Sequence, residues 1–489
     1  MKDNMKRKIL LIEPPFYRLF KETYSLDKHP LSLGYLSGAI RKETNWEVLI
    51  YNADFKLDRR SLEPFQVRYL TGEGFRQYQD QLRDLSKPVW SEIRSAISQS
   101  RPDVVGISAK SQNFKSACRV ARLVKEIDPR TVVVIGGPHA TLAGENILKE
   151  PDIDICVCGE GERTIVELLH AIEGKGDLGD VRGAVFRRNG RIIKNPPREF
   201  IRDLDSLASP YETAPEALKD YGKYPPSAFR SVLAIRGCPY NCFFCGSRRI
   251  WGPKIRFRSP ENVIREIKSL QARGVKRIHF DDDTFGANRQ YLRDLCDALA
   301  EHCPGLTWSC ELHVRLIDDD TLSLMKRAGC FMIQMGIESG NDGILRKVRK
   351  GFSVNKALAA CEKIKKHGLE LWTLYMVGFP WETEQTIRDT MRVMKKSGSD
   401  FLVYSIFMPY WGTEAFEFCK RKGLIREDFD VSLYHHQSPA NCFCLKIPPA
   451  KFRELVSHVE EMVDRENLRR VEKPGSRPAQ NAMNAVLTA

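Results

Sequence analysis

The chain has 489 residues, 42% hydrophobic and 29% charged, with 77 Lys and Arg against 63 Asp and Glu and a formal net charge of +14. That length suggests two or three domains, and that balance excludes a disordered or fibrous chain. No apolar run reaches the length of a membrane span, and the opening MKDNMKRKILLIEPP is too short in apolar residues for a signal peptide, so a cytoplasmic location is expected.

Residues 8–172 alternate strand-like and helix-like runs. The strands KILLIEP, EVLIYNA, VVGISA, TVVVIGG and DICVCGE are short and rich in Val and Ile, as buried parallel strands are. Between them lie amphipathic helices, as in FKSACRVARLVKEID with Ala117, Val120, Ala121 and Val124 on one face. The pattern predicts an α/β fold opening with a doubly wound parallel sheet. A polar stretch from about Lys56 to Lys87 reads as an insertion packed over one end. AVFRRNGRII predicts a hairpin turning at Asn189-Gly190. Pro-containing residues 196–230 read as a linker after a first domain of 1–195.

From Ser231 a second alternation begins with SVLAIRG, KRIHFDD, TWSCEL, CFMIQMGIES, LWTLYMVGFP and FLVYSIFMP. Ser259-Pro260 marks a helix start, and Gly274, Gly329, Gly368 and Gly398 mark helix ends. Six strand–helix units fall short of the eight of a closed barrel, so residues 231–425 predict an open (β/α)6 partial TIM barrel. Residues 426–489 predict a small helical C-terminal region, with Phe452, Leu455, Val459 and Met462 on one face and a disordered tail after about Lys473. The basic runs RKVRKG and EKIKKHG read as solvated helix faces or ends.

Fourteen cysteines are many for a reducing compartment, where a disulfide framework is not expected. Most sit in apolar contexts, where a thiol acts as a small hydrophobe. Cys442 and Cys444, with Cys419 upstream, follow no recognisable metal spacing and read as structural. Cys238, Cys242 and Cys245 differ. CPYNCFFC places three thiols on one loop after a strand, and a zinc site would want a fourth ligand, which is not obvious nearby. Three thiolates suit an iron–sulfur cube with one open iron. This C-x3-C-x2-C motif at the end of the first barrel strand resembles that of the radical S-adenosylmethionine (radical SAM) superfamily.

The resemblance implies that Cys238, Cys242 and Cys245 hold a 4Fe-4S cluster, that S-adenosyl-L-methionine (SAM) chelates the open iron, and that Phe244 lies against the adenine. It implies SAM contacts from Asp282 and Asp283 in FDDDTF, Glu311 and Arg315 in CELHVR, Glu338 in MGIESG, and Gly378 and Pro380 in MVGFPWET. An acidic loop capping the next helix, Thr284 included, explains FDDDTF equally well. PYWGTEAF departs from the family's P-x-P-G-T by Trp411, which leaves that loop's shape open.

In the first half, GGPHATL and GEGERT are glycine-rich turns after strands, weak signals alone. With HPLSLGYLSGAI and the barrel that follows, they resemble the cobalamin-binding radical SAM subfamily, methyltransferase type. That resemblance implies cobalamin contacts from Ser108, Gly136, Gly137, Pro138, His139, Gly159 and Glu160. The Asp-x-His-x-x-Gly signature of a cobalt-ligating histidine is absent, and His139 is not expected to bind cobalt. A sheet that kept the fold and lost the vitamin remains an alternative.

The leading implication is a cobalamin-dependent methyltransferase acting on an unactivated carbon of a small or lipid-like substrate, supplied with electrons by a donor such as flavodoxin or ferredoxin. The alternatives are an oxidative cyclase or rearrangement enzyme of the same subfamily, an RNA-modifying methylthiotransferase, and a non-catalytic cobalamin sensor. The first half offers no second cysteine triad and the C-terminus reads helical, which disfavours nucleic acid. The catalytic residues themselves are not readable from the sequence.

Overall fold

The computed structural model describes residues 6–56, 67–426 and 440–471, together with Phe429, Asp430, Leu433, His436 and Ser438. The chain up to Pro225 builds one unit and the chain from Pro226 onward a second, with Arg249–Gly252 belonging to the first and the residues just before Gly74 to the second.

In the first unit, β1 (Lys8–Glu13), β2 (Glu47–Asn52), β3 (Val104–Ser108), β4 (Val132–Gly136) and β5 (Ile155–Val157) run parallel in the order β2-β1-β3-β4-β5. Their Val- and Ile-rich runs are buried, as strands sandwiched between helices must be. The hairpin forms β6 (Ala184–Arg188) and β7 (Arg191–Lys194), which extend the sheet antiparallel to seven strands. Asn189 and Gly190 turn it at φ of 52° and 74°, the positive values that a two-residue hairpin needs. Part of the polar insertion forms the helix Glu73–Arg83, whose Tyr78 stacks on Phe20 at 4.8 Å; residues 57–66 lie outside the described residues.

The Pro-containing segment after residue 195 packs within this unit up to Pro225. Ile201, Leu204, Tyr211, Ala214 and Leu218 are buried. A Cβ on Gly34 would come within 2.3 Å of the Pro210 carbonyl oxygen, so only glycine lets the helix Leu31–Glu43 approach so closely.

The second unit contains β8 (Ser231–Val232), β9 (Ile235–Arg236), β10 (Arg256–Phe257), β11 (Arg277–Phe280), β12 (Thr307–Glu311), β13 (Cys330–Glu338), β14 (Glu370–Val377) and β15 (Phe401–Ile406). Six of them form a parallel half-barrel in the order β15-β14-β13-β12-β11-β8. SVLAIRG, read above as one strand, is broken in two. Asp282 Oδ1 accepts from the Ala234 and Ile235 amides at 2.9 and 3.0 Å, and β9 then turns away to pair antiparallel with β10.

The helix Pro449–Val471 buries Phe452, Leu455, Val459 and Met462. Its Asn467 accepts from the Leu402 amide and donates to the Leu402 carbonyl, both at 2.9 Å, so a side chain occupies backbone groups on the edge strand β15. The tail expected to be disordered lies outside the described residues. Among those described, no helix is long and apolar enough to cross a membrane.

Candidate active site

The cysteine loop leaves β9 through Gly237, at φ 112°, where a Cβ would meet the Lys254 carbonyl oxygen at 2.3 Å. Cys238 Sγ lies 3.0 Å from Thr284 Oγ1, and Cys245 Sγ accepts from the Ser247 amide at 3.4 Å. The middle of the loop is held by a turn that follows the helix Asp342–Lys347. The Phe243 amide donates to the Val348 carbonyl at 3.1 Å, and Arg349 Nε donates to the Asn241 carbonyl at 2.8 Å. Tyr240, between the first two cysteines, stacks on His313 at 3.9 Å. Phe243 anchors the loop in a core with Val348, Phe379 and Phe407, and Phe244 packs partly buried at 5.6 Å from Phe379.

The three thiols are free of disulfides. Burial raises the thiol pKa of Cys238 and Cys242, so the thiolate form needs a positive partner. Among the described residues no three His, Cys, Asp or Glu side chains close on a single ion. A four-iron cube asks for something different, one thiolate at each of three corners, and three free cysteines spread along one clamped loop fit it.

Carboxylates gather beside the loop. Glu311, at the end of β12, has a pKa raised to about 7 by burial and by Asp281, Asp283 and Glu338. Glu338 ends β13 at φ 70°, after a register shift from Gly336, and its Oε1 accepts from Lys350 Nζ at 3.1 Å. Lys350 is buried and its charge is felt by Cys242 and Cys245. Lys350 carries no signal in the sequence, where RKVRKG reads as a solvated helix face or end. The helix stops at Lys347, and Lys350 turns inward. EKIKKHG behaves as expected, with Lys363 and Lys365 paired to Asp319 and Asp400 at the surface. Arg315 belongs to the same neighbourhood, since its charge acts on Tyr240 and His313.

Asp282 and Asp283, neighbours in sequence, have different jobs. Asp283 Oδ1 accepts from Ser247 Oγ at 3.0 Å beside the cysteine loop, whereas Asp282 is buried and spends one oxygen on the β8–β9 break. Asp281, not singled out from sequence, acts on Glu311, as Asp283 does. Strand alternation is the signal that would have separated them. Gly378 takes φ 99°, and its amide donates to Glu382 Oε2, which also accepts from the Phe379 amide at 3.1 Å. Pro380 is buried and its carbonyl accepts from the Leu445 amide at 2.8 Å. Cys442 and Cys444 bond to the carbonyls of Ile447 and Phe379.

In the first unit, Ser108 and Gly136 end β3 and β4. Gly137, at φ 98°, is required by the backbone, since a Cβ would meet the Ala109 carbonyl oxygen at 2.8 Å. Pro138 opens the helix Pro138–Ala143. His139 is buried against Phe114, its Nδ1 lies 2.9 Å from Ser111 Oγ, and burial lowers its pKa to about 3, so the ring is uncharged. Glu160 Oε2 accepts from the Ile201 amide at 2.6 Å. Gly144 and Gly159 have positive φ and open space where a Cβ would be. Gly159 follows the end of β5 and Gly144 the end of the helix Pro138–Ala143.

A cysteine loop on an open parallel half-barrel, carried with a doubly wound sheet, defines the class of two-domain radical enzymes. Residues 232–394 match the model of the radical SAM superfamily, and residues 17–169 match that of the B12 binding domain. The chain is 31% identical to an uncharacterized methyltransferase of Pyrococcus horikoshii, over 86% of this chain and 84% of the relative. It is 28% identical to an anaerobic magnesium-protoporphyrin IX monomethyl ester cyclase of Synechocystis, over 71% and 70%. The structure of the radical SAM methyltransferase TsrM from Kitasatospora setae shares the fold, with a TM-score of 0.71 at 16% identity over 98% of this chain and 95% of that one. This chain belongs to the cobalamin-binding radical SAM family, methyltransferase type, whose cofactors are a 4Fe-4S cluster, SAM and cobalamin.

Proposed function

We propose that this protein transfers a methyl group to an unactivated carbon of a small molecule. When bound, the cluster and SAM supply a radical that abstracts hydrogen, and cobalamin carries the methyl group. Cys238, Cys242 and Cys245 would hold the cluster. Glu311, Glu338, Arg315, Asp283 and Lys350 would orient SAM, and Phe244 and the Gly378–Pro380 loop would face its adenine. Residues 1–195 would carry the cobalamin site, with Ser108, Gly136 and Gly159 at its rim. The observation that carries the reading is the clamped cysteine loop beside the Glu338–Lys350 pair, in a chain that aligns over 86% of its length with a relative named a methyltransferase. A reduced flavodoxin or ferredoxin is the proposed electron donor.

The cyclase relative favours a second reading, oxidative ring closure on the same scaffold. Methylation with labelled SAM, in extracts fractionated into small molecules, lipid, protein and nucleic acid, separates the two. The methyltransferase reading expects two SAM consumed per product and a gain of one methylene. Cyclisation consumes SAM with no label in the product, and label in RNA would contradict both.

The cobalamin arm has its own test. Full-length protein with hydroxocobalamin should show a base-off spectrum that His139→Ala leaves unchanged. A histidine-ligated spectrum lost in that variant would make His139 the cobalt ligand.

A further inference from the structure

The end of β5 carries two cysteines that the cluster loop does not use. DICVCGE sets Cys156 and Cys158 two residues apart, so strand alternation puts both side chains on one face of the sheet. That face lies against the helix Pro138–Ala143, which ends at Gly144 with a φ of 57°. Cys156 is fully buried, whereas Cys158 is partly exposed. The two Sγ atoms are 3.9 Å apart. The Ala140 carbonyl oxygen lies 3.8 Å from Cys156 Sγ and 3.5 Å from Cys158 Sγ. The Gly144 carbonyl oxygen is 3.7 Å from Cys156 Sγ.

Around a tetrahedral zinc ion, with Zn–S about 2.3 Å and Zn–O about 2.1 Å, two sulfurs stand about 3.8 Å apart and a sulfur and an oxygen about 3.6 Å. The separations at the end of β5 lie close to those edges with the backbone as it stands. A disulfide fits less well. It needs the sulfurs at about 2.05 Å, and two residues along an extended strand set their Cα atoms ~6.6 Å apart, near the upper limit for such a bond. The hydrogen bond from Cys156, and after it the charge of Lys194, holds the Cys158 thiol below its ordinary value, and the same bond with burial holds Cys156 above it. Cys158 is therefore the sulfur that ionises first, and a bound metal displaces the proton left on Cys156. Two thiolates cancel the charge of a divalent zinc ion, which removes the cost of burying either sign alone. A buried thiol commonly acts as a small hydrophobe, but that role does not set a partly exposed sulfur against a second sulfur and a shared carbonyl oxygen.

We propose that Cys156 and Cys158 form a second metal site, in the first unit, that takes a zinc ion with the Ala140 carbonyl oxygen as third ligand and a water on the side where Cys158 is exposed. The ion ties the end of β5 to the helix Pro138–Ala143. The site needs neither cluster nor SAM, so it goes beyond the methyl-transfer reading and does not depend on it.

The test uses the full chain reconstituted with its cluster, so that Cys238, Cys242 and Cys245 are occupied, and cleared of loose metal on a chelating resin. Dialysed against zinc, the parent should retain about one zinc ion per chain more than Cys158→Ser or Cys156→Ser does. Zinc should also slow the alkylation of Cys158 by iodoacetamide roughly tenfold, read by mass spectrometry on the peptide that carries it, because a metal-bound thiolate is withheld from the reagent. That reading is made on the parent chain, so it decides the matter even where circular dichroism shows that a variant has not folded. Equal zinc in the parent and in a folded variant would overturn the site. So would alkylation of Cys158 at the same rate with and without zinc, or a Cys158 that the reagent does not reach in zinc-free protein, since the entrance would then be closed. Closure of Cys156 and Cys158 to a disulfide by diamide, at a rate that zinc does not change, would make the two thiols a redox pair and not a metal site.

Discussion

Lys350 and Glu338 meet at 3.1 Å with little of either side chain exposed to solvent. Removing one partner of such a buried pair leaves the other charge uncompensated, a loss of about 3–5 kcal/mol. Lys350→Met should therefore destabilise the iron-free protein by a few kcal/mol in urea unfolding. Adding Glu338→Gln should restore part of that loss, because the stranded carboxylate is then gone. Strictly additive losses would show that the pair is not coupled. Glu382 makes a second prediction at this scale. Its carboxyl is fully buried and its pKa is raised to about 8, chiefly by that burial. In the unfolded chain it returns to about 4.3. Between those values the native form keeps a proton that the unfolded form has released, so this group's contribution to stability falls as pH rises from about 4 to 8. Glu382→Gln keeps an oxygen for the Gly378 and Phe379 amides and cannot ionise. Its stability should fall less steeply than the parent's across that window; an identical slope would place the titration elsewhere.

At the scale of elements, the cysteine loop is positioned by what surrounds it. Gly237 starts it, the Val348–Arg349 turn holds its middle, and Phe243 ties it to the core. Gly237→Ala would drive a Cβ against the Lys254 carbonyl and force a positive φ on a residue that resists it. We expect the variant to fold and to hold clearly fewer irons than the parent after reconstitution; a full complement of iron would show that the loop adapts. The elements of both sheets could be read from apolar runs and glycine punctuation because those signals are local. What could not be read depends on partners distant in sequence. The break between β8 and β9 needs Asp282, and the inward turn of Lys350 needs Glu338. The packing of residues 196–225 needs Gly34 and its neighbours, so a Pro-containing stretch with few periodic signals looked like a linker.

For the whole molecule, the cysteine trio stands out in the sequence because its C-x3-C-x2-C spacing is a local signal. The carboxylates and cations beside it come from separate strands and turns, and only the fold shows that Asp281 and Asp283 stand in their company while Asp282 is spent on the Ala234 and Ile235 amides. The carboxyl edge of the first sheet, where cobalamin contacts were expected, was less readable. Of the residues expected there, His139 faces Ser111 and Phe114, and Glu160 accepts from the Ile201 amide, partners that no motif records. SAM cleavage by this chain should depend on Cys238, Cys242 and Cys245. The most direct measurement is the formation of 5′-deoxyadenosine from SAM by anaerobically reconstituted protein under strong reductant, compared with the three single Cys→Ala variants. Cleavage is expected from the parent and from none of the variants. Cleavage at the parent's level in any one of the three would contradict it.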